Sequence, residues 1–151
     1  MVVTCSDTRT PDTDTSGQLI MRLLKEQGHH VMAYRLVKDE PVLIKERIGE
    51  ALRTEGIHAI IVNGGTGISR RDSTFEAVDA MLEKRLEGFG ELFRALTYQD
   101  IGSPAIMTRA TAGILHGRVL FSTPGSENAV RLAMEKLILP ELGHIVKELT
   151  K

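Results

Sequence analysis

Residues 2–5, VVTC, form a short β-rich run; a polar segment at 6–16 separates it from Leu19, Ile20, Leu23 and Leu24, which share one helix face. Gly28 stops that helix. Residues 31–37 read as a strand. Pro41, in a position that a first helical turn tolerates, opens a second helix carrying Ile44, Ile48 and Leu52 and closed by Gly56. The continuous apolar run AIIV at 59–62 is the pattern of a strand covered on both faces, which points to a parallel sheet inside α/β layers. Ser73-Thr-Phe-Glu76 has the form of a capping box, with Val78, Met81 and Leu82 continuing its helical period. A further helix is expected over residues 91–98, with Leu92, Phe93 and Leu96 inward. Residues 112–115 and 119–123 flank His116-Gly117 as an antiparallel hairpin. The last helix starts near Ser126, carries Val130, Ala133, Met134 and Leu137, and is expected to be interrupted at Pro140 before a short terminal helix.

The 151 residues, 42% of them hydrophobic, suffice for one domain with a substantial core, and no linker, repeat or low-complexity tract divides residues 1–151. The 19 basic and 20 acidic residues nearly cancel. No global field therefore draws the chain to nucleic acid or to an anionic membrane, and any phosphate recognition must be local. No apolar run reaches the ~18 residues of a membrane span, and no basic segment leads into an apolar one at the start, so a cytoplasmic location is expected. The single cysteine, Cys5, forms no internal disulfide and reads as a small buried hydrophobe. No CxxC or Cys/His cluster is present to hold zinc.

In an open α/β sheet, ligands gather beyond the carboxyl ends of the strands, where loops and helix N-termini converge with unpaired N–H groups. Three polar, glycine-bearing segments fall at such ends: Ser6-Asp7, Asn63-Gly-Gly-Thr-Gly67 and Thr123-Pro-Gly-Ser126. The middle one continues into Arg70-Arg71-Asp72 and satisfies neither the Walker A pattern nor GxGxxG. It retains close backbone access and a carboxylate just before a helix. On residue chemistry alone, Asp72 is either a partner for a metal or cation or a helix-start charge that suits the macrodipole. Arg70 and Arg71 are either phosphate partners or solvated charges. Asp39, ahead of Pro41, and Asp14 in Asp14-Thr-Ser-Gly17 read as N-caps as readily as functional groups. Arg109, alone among apolar residues, reads as structurally paired. His29-His30 follow a helix-ending glycine, at the opposite end of the sheet, and are not taken as a metal pair.

The ordered set Ser6-Asp7, Asp14-Thr-Ser-Gly17, Asn63-Gly-Gly-Thr-Gly67 with Arg71-Asp72, Glu87-Gly-Phe-Gly-Glu91, Thr108-Arg109-Ala110 and Thr123-Pro-Gly-Ser126 resembles the MoaB/MogA family of molybdenum cofactor biosynthesis proteins. Residues 87–102 resemble the MoaB branch more closely, and the short leading extension usual in the family is expected to be absent. The resemblance implies a three-layer α/β/α sandwich with a mostly parallel sheet and one antiparallel hairpin, assembled as a homotrimer or hexamer. It implies molybdopterin as ligand and, in members that are enzymes, transfer of AMP from ATP to the terminal phosphate of molybdopterin with Mg²⁺. By position, Asp39 and Asp72 resemble the family's two essential carboxylates and would be its metal ligands. The substrate-binding set implied in the same way is Ser6, Asp7, Asp14, Ser16, Gly17, Gly64, Gly65, Thr66, Gly67, Arg71, Glu91, Thr108, Arg109, Pro124, Gly125 and Ser126. Two positions depart from the family's common pattern: Phe75 stands where proline is usual, and Thr108 where serine is usual. Some MoaB-branch proteins share the fold without the activity, so a non-catalytic molybdopterin binder or scaffold, working with other proteins of the pathway, competes with the enzyme reading. A flavodoxin-like regulatory domain that binds a nucleotide without turnover is the third expectation.

Overall fold

The computed structural model describes residues 1–151. Along the chain run β1 (Val2–Cys5), α1 (Thr15–Glu26), β2 (Tyr34–Val37), α2 (Pro41–Arg53), β3 (Ala59–Gly64), α3 (Thr74–Asp79), β4 (Lys84–Arg85), α4 (Glu87–Ile101), β5 (Thr111–Leu115), β6 (Arg118–Thr123), α5 (Glu127–Ala133) and α6 (Leu139–Leu149). The strands make a single sheet in the order β2-β1-β3-β6-β5-β4. β2, β1, β3 and β6 are parallel, and β5 and β4 run antiparallel at one edge.

Alternation along the central strands divides the core in two. Val2, Ile61, Val119 and Phe121 face α1, α4, α5 and α6, where Leu19, Ile20, Phe93, Val130 and Met134 meet them. Val3, Cys5, Ile60, Val62 and Leu120 face α2 and α3, meeting Ile44, Ile48, Ala51 and Val78. The 59–62 run is apolar throughout because both faces of β3 are covered, and the result is the expected α/β/α sandwich. No helix is long and apolar enough to cross a membrane.

Several elements differ from expectation, each for a local reason. The ladder with β1 begins at Val2 opposite Tyr34, so β2 starts three residues later than the apolar pattern suggested. β4 is two exposed residues, Lys84 and Arg85, with no hydrophobic pattern to announce it. α4 begins at Glu87 rather than near Glu91, its first turn disguised by Gly88 and Gly90; a Cβ at Gly90 would lie 2.7 Å from the Ala110 carbonyl. Leu92, expected inward, is 56% exposed, and Tyr98, Ile101, Ile106 and Met107 are exposed further along α4 and the turn that follows it. The helix started by Ser126 is not broken at Pro140. A π turn, Met134–Ile138, carries it into α6, with Pro140 in the first turn, so the helical backbone continues past a residue that lacks an N–H to donate. His116 and Gly117, at φ 48° and 74°, make the tight hairpin between β5 and β6.

Candidate functional site

The carboxyl ends of β1, β3 and β6 lie side by side, so the loops that follow them converge. Between them is a polar cleft of about 360 Å³, lined by Cys5, Ser6, Thr8 and Arg9 from the first loop, residues 64–67 and Asp72 from the second, and Pro124 and Gly125 from the third. Gly64, at φ 140°, crosses β1 so closely that a Cβ would sit 2.1 Å from the Cys5 carbonyl oxygen. Gly125 in turn packs on Gly64, its own Cβ position lying 3.1 Å from the Gly64 Cα.

The glycine loop rests on the two aspartates. A Cβ at Gly65 would overlap Asp39 Oδ2 at 1.5 Å, and one at Gly67 would stand 2.6 Å from Asp72 Oδ2. Alternate glycines are required here because each carboxylate occupies the space of a side chain. Asp39 is 6% exposed and does not line the cleft. Its Oδ1 accepts from Ser73 N, Ser73 Oγ and Thr74 Oγ1, at 3.3, 2.8 and 3.0 Å. Asp72 is half-buried at the cleft wall. Its Oδ2 accepts from Ser69 N and Ser69 Oγ, at 3.1 and 2.7 Å, while Oδ1 has no partner within the chain.

The expected capping box is therefore not made. Ser73 starts α3 but turns its hydroxyl to Asp39, and its side chain bonds no helix N–H. Glu76 pairs with Arg109 instead, and α3 ends at Asp79, before Met81 and Leu82. Arg109 is a strut for the glycine loop. Its Nε donates to the Thr66 carbonyl at 2.8 Å and its Nη2 to the Gly67 carbonyl at 2.5 Å, while the guanidinium lies 4.9 Å over the Phe75 ring. Phe75 thus gives the arginine an aromatic face that proline would not supply.

Other braces surround the cleft. Asp7 accepts both Nε and Nη2 of Arg71, at 2.6 and 2.9 Å, and also the Asp39 N–H at 3.1 Å. The Arg71 guanidinium holds the Asp7 carboxyl below its ordinary range, and Asp7 raises Arg71 in return. Ser16 Oγ donates to the Gly125 carbonyl at 2.6 Å. Gly17 has no room for a side chain, since a Cβ would lie 2.2 Å from Asp14 Oδ2. Asp14 is fully buried as the N-cap of α1, accepting from Gly17 N at 3.0 Å and from the Tyr34 hydroxyl. Ser126 caps α5, accepting from Ala129 N at 3.3 Å. Arg70 is exposed.

Among the residues expected from the resemblance, Ser6, residues 64–67, Asp72, Pro124 and Gly125 line the cleft. Asp7, Asp14, Ser16, Gly17, Asp39, Arg71, Arg109 and Ser126 brace its loops. Glu91 is exposed on α4, Thr108 follows the 3₁₀ turn Ser103–Met107, and neither lines the cleft. Thr8 and Arg9 do line it, although the sequence reading passed over them; the trace they leave is one cation three residues beyond the Ser6 strand end. Cys5 also borders the cleft, but burial pushes its thiol up to about 12, leaving no thiolate near neutrality. Beneath the loops, Asn63 and Thr123 sit opposite each other in the β3–β6 register, and the buried Asn63 Oδ1 and Thr123 Oγ1 have no partner in the chain.

The family model described as "Probable molybdopterin binding domain" matches residues 1–144, and the chain belongs to this family. It is 52% identical over 151 residues to Molybdenum cofactor biosynthesis protein B of Bacillus subtilis, covering 99% of this chain and 89% of that one. The like-named Bacillus cereus protein is 54% identical over 149 residues, covering 98% and 88%. A crystal structure of Molybdenum cofactor biosynthesis protein B superposes with a TM-score of 0.96 at 54% identity, over 99% of this chain and 93% of that one. The tungsten cofactor synthesizing protein MoaB from Pyrococcus furiosus gives 0.87 at 39% identity, over 99% and 95%. A MogA structure gives 0.88 at 25% identity, over 98% and 97%.

Proposed function

We propose that the protein transfers AMP from ATP to the terminal phosphate of molybdopterin. The observation that carries this reading is the stacking of the glycine loop on two aspartates, with Gly65 against Asp39 and Gly67 against Asp72, at the wall of a cleft built from backbone and small side chains. Attack of a phosphate oxygen on the α-phosphorus of ATP, with pyrophosphate leaving, brings two anions together. Backbone N–H groups of residues 64–67 are suited to the oxygens of both. Rigid bracing by Arg109, Asp7–Arg71 and Ser16 supports alignment of the reacting groups, which supplies much of the rate in such a transfer.

The donor set fits Mg²⁺, which commonly takes one or two carboxylates and completes its shell with substrate phosphates and water. Asp72, with Oδ1 unpartnered at the cleft wall, would hold it, and Asp39 would hold Gly65 and Ser73 in place behind it. When bound, the metal supplies charge screening between the two phosphates. The exposed apolar side chains Leu92, Tyr98, Ile101, Ile106 and Met107 support assembly of copies into a homotrimer or hexamer, and light scattering showing a monomer at micromolar concentration would remove that part of the proposal.

One observation favours a binder without turnover: Asp39 is buried, with Oδ1 already accepting three bonds, so one of the two expected metal ligands is not displayed. The deciding experiment mixes purified protein with molybdopterin, ATP and Mg²⁺, and follows adenylated pterin and pyrophosphate. Both products should form, and excess EDTA should abolish them. Tight molybdopterin binding with no pyrophosphate would make the protein a binder or scaffold of the pathway.

A further inference from the structure

Arg9 and Asp72 are the charged side chains that line the cleft, so Arg9 is its one lining cation. The arginine is held at both ends of its fork. Nη1 donates to Asp14 Oδ1 at 3.4 Å, and Nη2 donates to the Gly125 carbonyl at 3.1 Å. Its backbone is fixed as well, because the Arg9 N–H donates to Ser6 Oγ at 3.0 Å. Asp14 has no exposed surface, and Arg9 is the only cation paired with it. The Tyr34 hydroxyl that bonds Asp14 is driven to a higher pKa, first by burial and then by that hydrogen bond, so it stays protonated and donates. The carboxylate is thus locked from below by Tyr34 and Gly17, and its charge aims the guanidinium.

Of five guanidinium N–H groups, two are used within the chain, and the Arg9 side chain remains 28% exposed. A fixed fork with N–H groups to spare, beside glycine amides, is suited to phosphate oxygens. We propose that Arg9 seats a phosphate oxyanion of the ligand and that Asp14 and the Gly125 carbonyl are the groups that position it. This rests on the reading of the cleft as a phosphate-ligand site. It changes the role of Asp14, which acts on the ligand through Arg9. The phosphate belongs either to the pterin or to the nucleotide.

Calorimetric titration of the wild type, Arg9→Gln, Arg9→Lys and Asp14→Asn with inorganic pyrophosphate, with ATP and Mg²⁺, and with molybdopterin tests the assignment, with folding checked by circular dichroism. Arg9→Gln should weaken pyrophosphate and at least one substrate by about 10- to 100-fold. Arg9→Lys should recover part of the loss, since one ammonium keeps the charge but cannot span Asp14, Gly125 and the ligand together. Asp14→Asn should weaken the same ligands as Arg9→Gln, to a lesser degree. In Arg9→Ala, added guanidinium ion should restore pyrophosphate binding, which a merely structural arginine would not allow. A loss confined to ATP assigns the contact to the nucleotide, and a loss confined to molybdopterin assigns it to the pterin phosphate. Wild type that binds pyrophosphate through Arg9 but neither substrate would overturn the proposed function and leave this inference standing. Unchanged affinities in folded Arg9→Gln, loss of folding in both the Gln and Lys variants, or a wild type that binds none of the three would overturn it.

Discussion

The two ends of the sheet carry different kinds of cavity. At the amino end is the larger one, about 620 Å³, lined mainly by apolar groups such as Met1, Leu24, Ile57 and Leu142, with His29, His30 and His58 around it. At the carboxyl end is the smaller polar cleft of about 360 Å³. Volume alone would choose the amino end, whereas the proposed site lies at the other. Parallel strands deliver loops and helix N-termini to their carboxyl ends, and that is where glycines approach carboxylates and where unpartnered polar atoms collect. Neither end gathers three or more His, Cys, Asp or Glu side chains fit to hold a metal, so the contrast rests on the glycines and the unpartnered polar atoms.

The sharpest way to break this contrast is Asp72→Asn. Adenylyl transfer should fall by about 100-fold or more, while thermal stability changes little, because asparagine still accepts from Ser69. Full turnover in that variant would take the chemistry away from the cleft. Gly65→Ala comes next: the new Cβ meets Asp39 Oδ2, so the loop must move, at about 1–3 kcal/mol and with loss of ligand affinity. Gly28→Ala, at φ 82° with open space around it at the amino end, should cost about 1 kcal/mol and leave affinity intact. Urea unfolding and ligand titration of the pair would show whether the two ends respond differently.

Ser73→Ala is expected to lower stability by about 1.5 kcal/mol through loss of a hydrogen bond to the Asp39 carboxylate. Turnover should drop with it, whereas an ordinary helix cap would cost stability alone. The smallest effect belongs to His58→Ala at the amino end, where ligand affinity should stay within about twofold of wild type.

Much of this architecture was legible in the chain. The doubly covered 59–62 run, the helix faces of Leu19 to Leu24 and of Ile44 and Ile48, and the His116-Gly117 turn each carry a pattern that local physics reads directly. What escaped depends on partners distant in sequence. Ser73 and Glu76 have the letters of a capping box, yet Asp39 and Arg109 compete for their side chains and win, because buried or braced charge outweighs one helix-end bond. α4 was foreshortened because of the glycines in its first turn, one of which, Gly90, answers to the Ala110 carbonyl. Arg9 was passed over because its meaning lies in Asp14 and Gly125, the latter 116 positions away.

The edges of the sheet have a consequence for how copies of this chain meet. At one edge β4 offers two residues, both cations, and at the other β2 is four residues long, with Arg35 tied to Glu50. An incoming strand finds few free backbone groups and, at β4, like charge if it comes from another copy, so open-ended ladder growth is blocked from both sides. Encounters between molecules are left to side-chain surfaces, whose symmetry decides whether an assembly closes on itself.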